Sequence, residues 1–439
     1  MIYIADLHIH SKYSRATSKS TDLENLTKWA QIKGIQILGT GDFTHPLWFK
    51  EIKNKLESVK LGLYKLKNVK SEMRFILSTE FSCIYTKNNK VRRIHLVVLA
   101  PDIEIAEKIN QKLGEKYNLK SDGRPILGID AKELLKILLN ISPEIVMIPA
   151  HAWTPWFSIF GSKSGFNSVE ECFDELAPQI FALETGLSSD PLMNWQWSYL
   201  DKYTLISNSD AHSPEKLGRE ANVFEFPSEP SYKDIIEAIK NASPYQRQSA
   251  SSPRKSALVY TIEFFPEEGK YHIDGHRACN FHCEPIQTKK LKGICPVCHR
   301  PLTVGVLHRV DDLADRAEPQ QPQGAPDQKS IIPLKEIIAE IEGVMPTSKR
   351  VDTIYHEMIK RGKNEFNILL NLSGEEIKNI SEPKIAEAIL KMRAGKVIKH
   401  PGYDGVFGQI KIFPESPDQK QANIPTAKKR INKNQKSLF

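Results

Sequence analysis

The chain opens MIYIADLHIHSKYS, in which Asp6, His8 and His10 stand at alternate positions directly behind an apolar run. Ile2 to Ala5 is rich in strand formers, and residues two apart on a strand face the same way, so His8 and His10 can grip one ion. The pattern recurs down the chain. Asp42 with His45 follows IQILGTG, Glu80 ends RFILSTE, His151 ends IVMIPAH and Asp210 with His212 ends TLISNSDAH, while His95 lies early in RIHLVVLA. One strand ending in histidine is ordinary polar burial, whereas a succession of them reads as a ligand set. Imidazole and carboxylate donors suit zinc, manganese or iron better than calcium or magnesium alone. A carboxylate such as Glu80 can bridge two ions. Ions ~3.5–4 Å apart clamp the oxygens of a phosphoryl group and bring the pKa of a water towards ~7. The chain carries neither a phosphate-cradling glycine loop nor a dinucleotide fingerprint, so the set reads as phosphoester hydrolysis rather than redox chemistry.

A second constellation is local. Cys279, Cys283, Cys295 and Cys298 read C-x3-C-x11-C-x2-C, the paired spacing of a closed zinc site with four thiolates. A unit this small depends on the metal for its folding free energy, so one structural zinc is expected. His276, His282 and His299 lie near enough to replace one ligand. Cys83 and Cys172 stand alone and read as core.

Elements able to position the first set alternate strands with helices up to about residue 240. In TDLENLTKWAQIKG, Thr21 and Glu24 form a capping box and Gly34 suits a C-terminal stop. Such alternation means a parallel α/β sheet, open or closed into a barrel, whose C-terminal loops converge on one face. The expected domains are a metal-dependent catalytic barrel over 1–242 and a zinc-binding module over 257–313. A helical DNA-binding domain over 331–413 and a disordered basic tail over 414–439 complete the chain. The Pro/Ser-rich stretch Ala242–Ser256 is a linker, and Ala314–Ser330 is a second break too poor in apolar residues to pack. Trp153, Trp156 and Phe157 follow His151 closely, so their rings can wall a pocket for an extruded base. Lys289, Lys290, Lys292 and Arg300 around the cysteines, and Lys391, Arg393 and Lys396 on the last helix, suit phosphate contacts.

At 439 residues, two or three domains are expected, and 40% hydrophobic with 26% charged residues is a globular composition. No apolar run is long enough to cross a bilayer, and the N-terminus lacks the order of a signal peptide, so no membrane association and a cytoplasmic location are expected. The net charge of +8 permits a polyanionic partner.

DLHIHS, Glu80, His95, PAH at His151 and SDAH at Asp210–His212 resemble the polymerase and histidinol phosphatase (PHP) superfamily. The resemblance implies a distorted seven-stranded β/α barrel with up to three ions, and His8, His10, Glu80, His95, His151, Asp210 and His212 match its ligand positions. Asp42 would be a further ligand or a proton acceptor, with Asp42, Glu80 and Asp210 as the catalytic carboxylates. The chain departs from the pattern at Arg15 in SRATS and in GDFTH, which leaves two or three ions open. The longer strings TGDFTHPLW, HAWTPWFSIFGSKSGFNS, ALETGLSSDP and NSDAHSP are similar to the endonuclease Q family, and the match runs through the cysteines into GYDGVFG. What this implies is a nucleoid-associated DNA repair endonuclease that cuts 5′ of uracil, hypoxanthine, xanthine or an abasic site. Its cofactors would be two or three ions of zinc, manganese or magnesium, and its partner damaged DNA, duplex or single-stranded. The final QKSLF resembles the start of a sliding-clamp-binding motif, with Gln435, Leu438 and Phe439 as the contacts. The rival readings are a small-molecule phosphoesterase on the same barrel and a DNA-binding scaffold that has lost catalysis.

Overall fold

Seven strand stretches close on themselves around the first strand. In the computed structural model, which describes residues 1–243 and 257–414, Ile2–Asp6 runs parallel to Ile37–Gly39, and that strand parallel to Arg74–Lys87. Arg74–Lys87 pairs antiparallel with Lys90–Ala100, which pairs antiparallel with Val146–Pro149. Next, the Ala152 amide donates to the Glu184 carbonyl and draws in Ala182–Glu184, which runs parallel to Thr204–Ile206. A parallel bridge between Ile9 and Ala211 returns to the first strand. This is the distorted seven-stranded α/β barrel that the resemblance implies. Ala5, Leu7, Ile37, Ile76, Val97, Ile148 and Ile206 share one buried apolar cluster, and each such aliphatic side chain stabilises by about 1.5–3 kcal/mol on leaving water.

The helix Leu23–Lys33 stops, as expected, at Gly34 with φ 91°. Its N-cap is Asp22, whose carboxylate accepts from the Asn25 amide, and not Thr21, which is buried one residue outside. The aspartate lies where its oxygen reaches the free amide of the third helical residue, so the expected capping box does not form.

The segment 314–330 corrects the expectation of a loose break. Asp315 accepts from the Ser198 amide at 2.8 Å, Arg316 pairs with Asp201 at 2.9 Å, and Asp327–Ser330 runs parallel to Leu258–Glu263. A segment poor in apolar residues is held here by hydrogen bonds and ion pairs instead.

The helices Leu334–Glu342, Lys349–Gly362, Gly374–Ile380 and Pro383–Arg393 form the C-terminal region, and Lys335 and Tyr355 of the first two meet Trp29 of the first barrel helix. There the buried Glu365 takes Lys33 at 2.7 Å, the Tyr355 hydroxyl at 2.6 Å and the Leu334 amide at 3.0 Å. Arg393 is not a DNA contact. Its guanidinium donates to the carbonyls of Ile368, Leu369 and Leu372, capping a turn that ends with its carbonyls unpaired. No helix among the described residues is long and apolar enough to cross a membrane. Gln435, Leu438 and Phe439 lie outside the described residues.

Candidate metal centre at the barrel mouth

His8, His10, His151 and Asp210 follow strand ends, whereas Glu80, expected to end its strand, and His95 lie inside the antiparallel strands Arg74–Lys87 and Lys90–Ala100 and reach the same place from mid-strand. His8, His10, Glu80 and Asp210 bring one ligand atom each to within 4.8 Å of one another, and Glu80, His95 and His151 do the same. Glu80 belongs to both groups and divides its oxygens between them. Oε1 lies 2.8 Å from His95 Nδ1 and 3.3 Å from His151 Nε2, while Oε2 lies 3.2 Å from His10 Nε2 and 3.6 Å from His8 Nε2. Asp210 Oδ1 lies 3.0 Å from His10 Nε2 and 3.7 Å from His8 Nε2. The backbone is forced to make this gathering. Asp42, His151 and Asp210 all hold positive φ, at 49°, 30° and 46°, a conformation that costs about 1–3 kcal/mol each and clusters at functional sites.

The donor set fits cations. His8 Nε2, His10 Nε2 and Asp210 Oδ1 are buried and converge, yet none has an aligned hydrogen-bond partner among the described residues. Buried polar atoms left so are costly unless something else satisfies them. Burial works against the charged form of Glu80, but the guanidinium of Arg124 and the ring of His8 beside it hold its carboxyl well below the usual range. Burial pushes His95 down to about 4, which keeps a lone pair on its ring at neutral pH.

Not every expected ligand stands in these groups. Asp42 is fully buried and faces the other side of His10. Its Oδ1 accepts from His10 Nδ1 at 3.0 Å, and its Oδ2 takes the Ser11 amide, the Ser11 hydroxyl and the Ser14 hydroxyl at 2.6, 2.7 and 2.9 Å. With every oxygen engaged, Asp42 orients an imidazole instead of offering a ligand atom. His212 meets the His10 ring at a tilt, 4.5 Å between centres, and turns Nδ1 to the Asp210 carbonyl, while His45 stacks on Tyr13 at 4.4 Å. Both lie at the rim, outside the two groups.

Two contributors carried no role in the sequence reading. Glu184 accepts from His8 Nδ1 at 3.0 Å, from the His151 amide at 2.9 Å and from Asn208 at 2.9 Å, so one carboxylate orients members of both groups. Gly186 makes this approach possible, since a Cβ there would lie 2.4 Å from that of His151. Its signal was the strand-end rule itself, applied to IFALETG. Arg124 Nη1 lies 3.0 Å from Glu80 Oε2, and no sequence pattern marks that arginine among the others.

The aromatics divide. Trp153 is wholly buried, donates its indole N–H to Asn194 at 2.8 Å and packs on Phe160 and Trp197. It is core and cannot wall a base pocket. Phe157 meets His95 at a tilt, 4.7 Å between ring centres, and Trp156, 38% exposed, meets Tyr271 edge-on at 5.8 Å.

The cysteine cluster differs by one ligand from the expected four thiolates. His276, Cys279, Cys295 and Cys298 bring their ligand atoms within 4.8 Å, whereas Cys283 turns its thiol to the Thr288 hydroxyl at 3.2 Å. The hairpin Asp274–His276 and Phe281–Cys283 explains the exchange. Phe281 pairs with His276 and Cys283 with Asp274, so His276 stands next to the turn that carries Cys279 and Cys283 sits at the far end of the ladder. Lys289, expected to face phosphates, pairs with Asp311 and Asp312.

Comparison with known proteins gives two partial family matches and near full-length likenesses. Residues 333–396 match the family described as MJ0043 C-terminal domain, and 197–244 the family described as PHP-associated. The MJ0043 protein of Methanocaldococcus jannaschii is 33% identical over 267 residues, which are 60% of this chain and 32% of that protein, so the chain spans about a third of it. YqxK of Bacillus subtilis is 28% identical over 93% of this chain and 98% of its own. Among solved structures, the lesion-specific endonuclease PfuEndoQ from Pyrococcus furiosus superposes with a TM-score of 0.82 at 28% identity, covering 96% of this chain and 99% of that one. Endonuclease Q in complex with a 27-mer duplex bearing an abasic lesion superposes with 0.80 at 30% identity, covering 94% and 97%.

Proposed function

The chain belongs to the endonuclease Q family, and on that premise we propose that it is a metal-dependent DNA repair endonuclease. It would hydrolyse the phosphodiester 5′ of deaminated bases (uracil, hypoxanthine and xanthine) and of abasic sites. The observation that carries this reading is the split carboxylate of Glu80, with one oxygen in each of two ligand groups. His8, His10, Glu80 and Asp210 would hold one divalent ion, and Glu80, His95 and His151 a second. Such ions, zinc, manganese or magnesium, supply positive charge to phosphoryl oxygens and lower the pKa of water.

The chain's own residues do the rest. Asp42 and Glu184 hold the His10 and His8 rings by Nδ1, leaving Nε2 for the centre, an arrangement that tunes ligand basicity. Asp210, at the accessible side of the mouth, is placed to accept a proton from the attacking water. Phe157, beside His95, and the half-exposed Trp156 next to it in the chain are placed to stack an extruded base, which flips at lower cost when damaged or mispaired. His276 with Cys279, Cys295 and Cys298 would hold one structural zinc. DNA would be met as duplex or single strand, with the enzyme nucleoid-associated and the tail offering Gln435, Leu438 and Phe439 to a sliding clamp.

The test is incubation of end-labelled duplexes, each with one uracil, hypoxanthine or abasic site, with the protein and a divalent metal. The expected product carries the damaged nucleotide on the downstream fragment, and undamaged duplex stays intact. Release of free uracil, or equal cutting of undamaged DNA, would overturn the reading.

A further inference from the structure

We propose that Arg124 is the phosphate-binding arm of the barrel mouth, gripping the non-bridging oxygens of the scissile phosphate. The inference rests on the hydrolytic reading of the site and adds to it a residue that neither the strand-end pattern nor the ligand groups contain.

Its position is built rather than incidental. Arg124 lies in the loop Ser121–Pro125, whose backbone is tied to the first motif and to the strand of Glu80. The Asp122 carboxylate takes the Arg124 amide at 3.1 Å and the Arg15 amide at 3.2 Å, the Gly123 amide donates to the Tyr13 carbonyl, and the Pro125 carbonyl accepts from the Ser82 amide. A Cβ at Gly123 would lie 2.3 Å from Asp42 Oδ2 and 2.4 Å from the Ser14 hydroxyl. The loop therefore presses bare backbone against the group that orients His10, and only glycine allows it. The consequence is a guanidinium aimed at the centre from a fixed base.

Its charge has no lasting partner there. Arg124 Nη1 lies 3.0 Å from Glu80 Oε2, the oxygen that faces His8 and His10, and the side chain remains 26% exposed towards solvent. Among the described residues no other lysine or arginine pairs with Glu80 or Asp210. Once divalent cations claim Glu80, a guanidinium beside it meets like charge and needs a new anion. The ligand that brings one to this point is the phosphodiester itself. A planar fork of N–H donors matches two phosphate oxygens at once, and a cation beside the reacting phosphorus gains as negative charge accumulates there.

The experiment compares the full-length chain with Arg124→Ala and Arg124→Lys in three measurements: single-turnover cleavage of a uracil duplex, metal content, and calorimetric binding of inorganic phosphate to the metal-loaded protein. Arg124→Ala is expected to slow cleavage by ~10²–10³-fold, as loss of one preorganised donor does. Its phosphate affinity should fall by about tenfold or more, the worth of a charge-assisted hydrogen bond. Metal content stays at the wild-type level, and Arg124→Lys, which keeps the charge without the fork, recovers part of both losses. Wild-type phosphate affinity in Arg124→Ala would overturn the proposal, and so would loss of bound metal in step with rate, which would make Arg124 a positioning residue for Glu80. If the wild-type chain cut no lesion-bearing duplex, the functional reading would fall, while the phosphate affinities would still decide the role of Arg124.

Discussion

The two ligand clusters of this chain are assembled in opposite ways. The barrel centre draws His8, His10, Glu80, His95, His151 and Asp210 from across some two hundred residues, on or just after five different strands. The knuckle draws His276, Cys279, Cys295 and Cys298 from one short unit with a three-residue apolar cluster of its own, Cys283, Cys295 and Leu302. A long-range site is held by the whole barrel core and by carboxylates behind its histidines, so it survives without its ions. A local site has little else to hold it, so a metal bound there would be part of its fold. The lesson is that removing a ligand from the first should abolish chemistry and leave structure, while removing one from the second should abolish structure and leave the barrel's ions in place.

The largest expected effect tests the first half of that contrast. His8→Ala and Asp210→Asn should each lower cleavage beside uracil by several orders of magnitude, measured in single turnover, while duplex affinity changes little because it comes mainly from basic side chains on phosphates. If both variants cut at the wild-type rate, the cluster serves the fold and not the reaction.

The second half is tested at the knuckle. Cys295→Ser with Cys298→Ser should remove one zinc by elemental analysis, expose the unit around residues 271–313 to protease and weaken DNA binding. His276→Ala should loosen the same zinc, and Cys283→Ser should retain it. Retention in His276→Ala with loss in Cys283→Ser would restore the four-thiolate assignment.

Glu184→Gln sharpens the barrel side. An amide cannot accept from the His8 ring, Asn208 and the His151 amide together, so one contact becomes a clash of donors. A loss of about 10–100-fold in metal affinity or rate is expected, the usual consequence of removing a carboxylate behind a ligating histidine. An unchanged metal-binding isotherm would show that Glu184 is only a packing group.

A smaller effect distinguishes the regions by pH. Beneath the barrel centre lies the buried carboxyl of Glu263, which accepts from the Ser207 and Thr185 hydroxyls. Burial pushes it up to about 8 from an ordinary 4.5. A folded-state value above the unfolded one means the contribution is fully present below the unfolded value and is lost as pH rises through the folded one. The thermal midpoint should therefore fall between pH 4.5 and about 8, and Glu263→Gln should flatten that slope. An identical slope in the variant would remove Glu263 as its source. The smallest effect concerns the tail: deleting Gln435–Phe439 should abolish clamp binding and leave cleavage of short duplexes unchanged. Unaltered clamp affinity would dismiss the motif.

Much of this was legible in residue types and order. Alternation of apolar runs with capped helices is a local property, so the barrel strands, the first helix stop at Gly34 and the helical C-terminal region could be read directly. So could the convergence of His8, His10, His151 and Asp210, because parallel strands end at one face whatever the loops do, whereas Glu80 and His95 reach that face from the middle of two antiparallel strands. Four things were decided only by the tertiary structure. Asp42 became a support because Ser11 and Ser14 satisfy its second oxygen. Trp153 went to the core because Asn194 meets its indole, and Arg393 was spent on three carbonyls of its own domain. His276 displaced Cys283 because a hairpin register sets which side chain reaches the knuckle, and spacing along the chain does not contain that register. Sequence determines which groups are available and which face they share. Which atom is left unpartnered at the centre depends on every neighbour that satisfies the others, and those neighbours arrive only when distant segments pack.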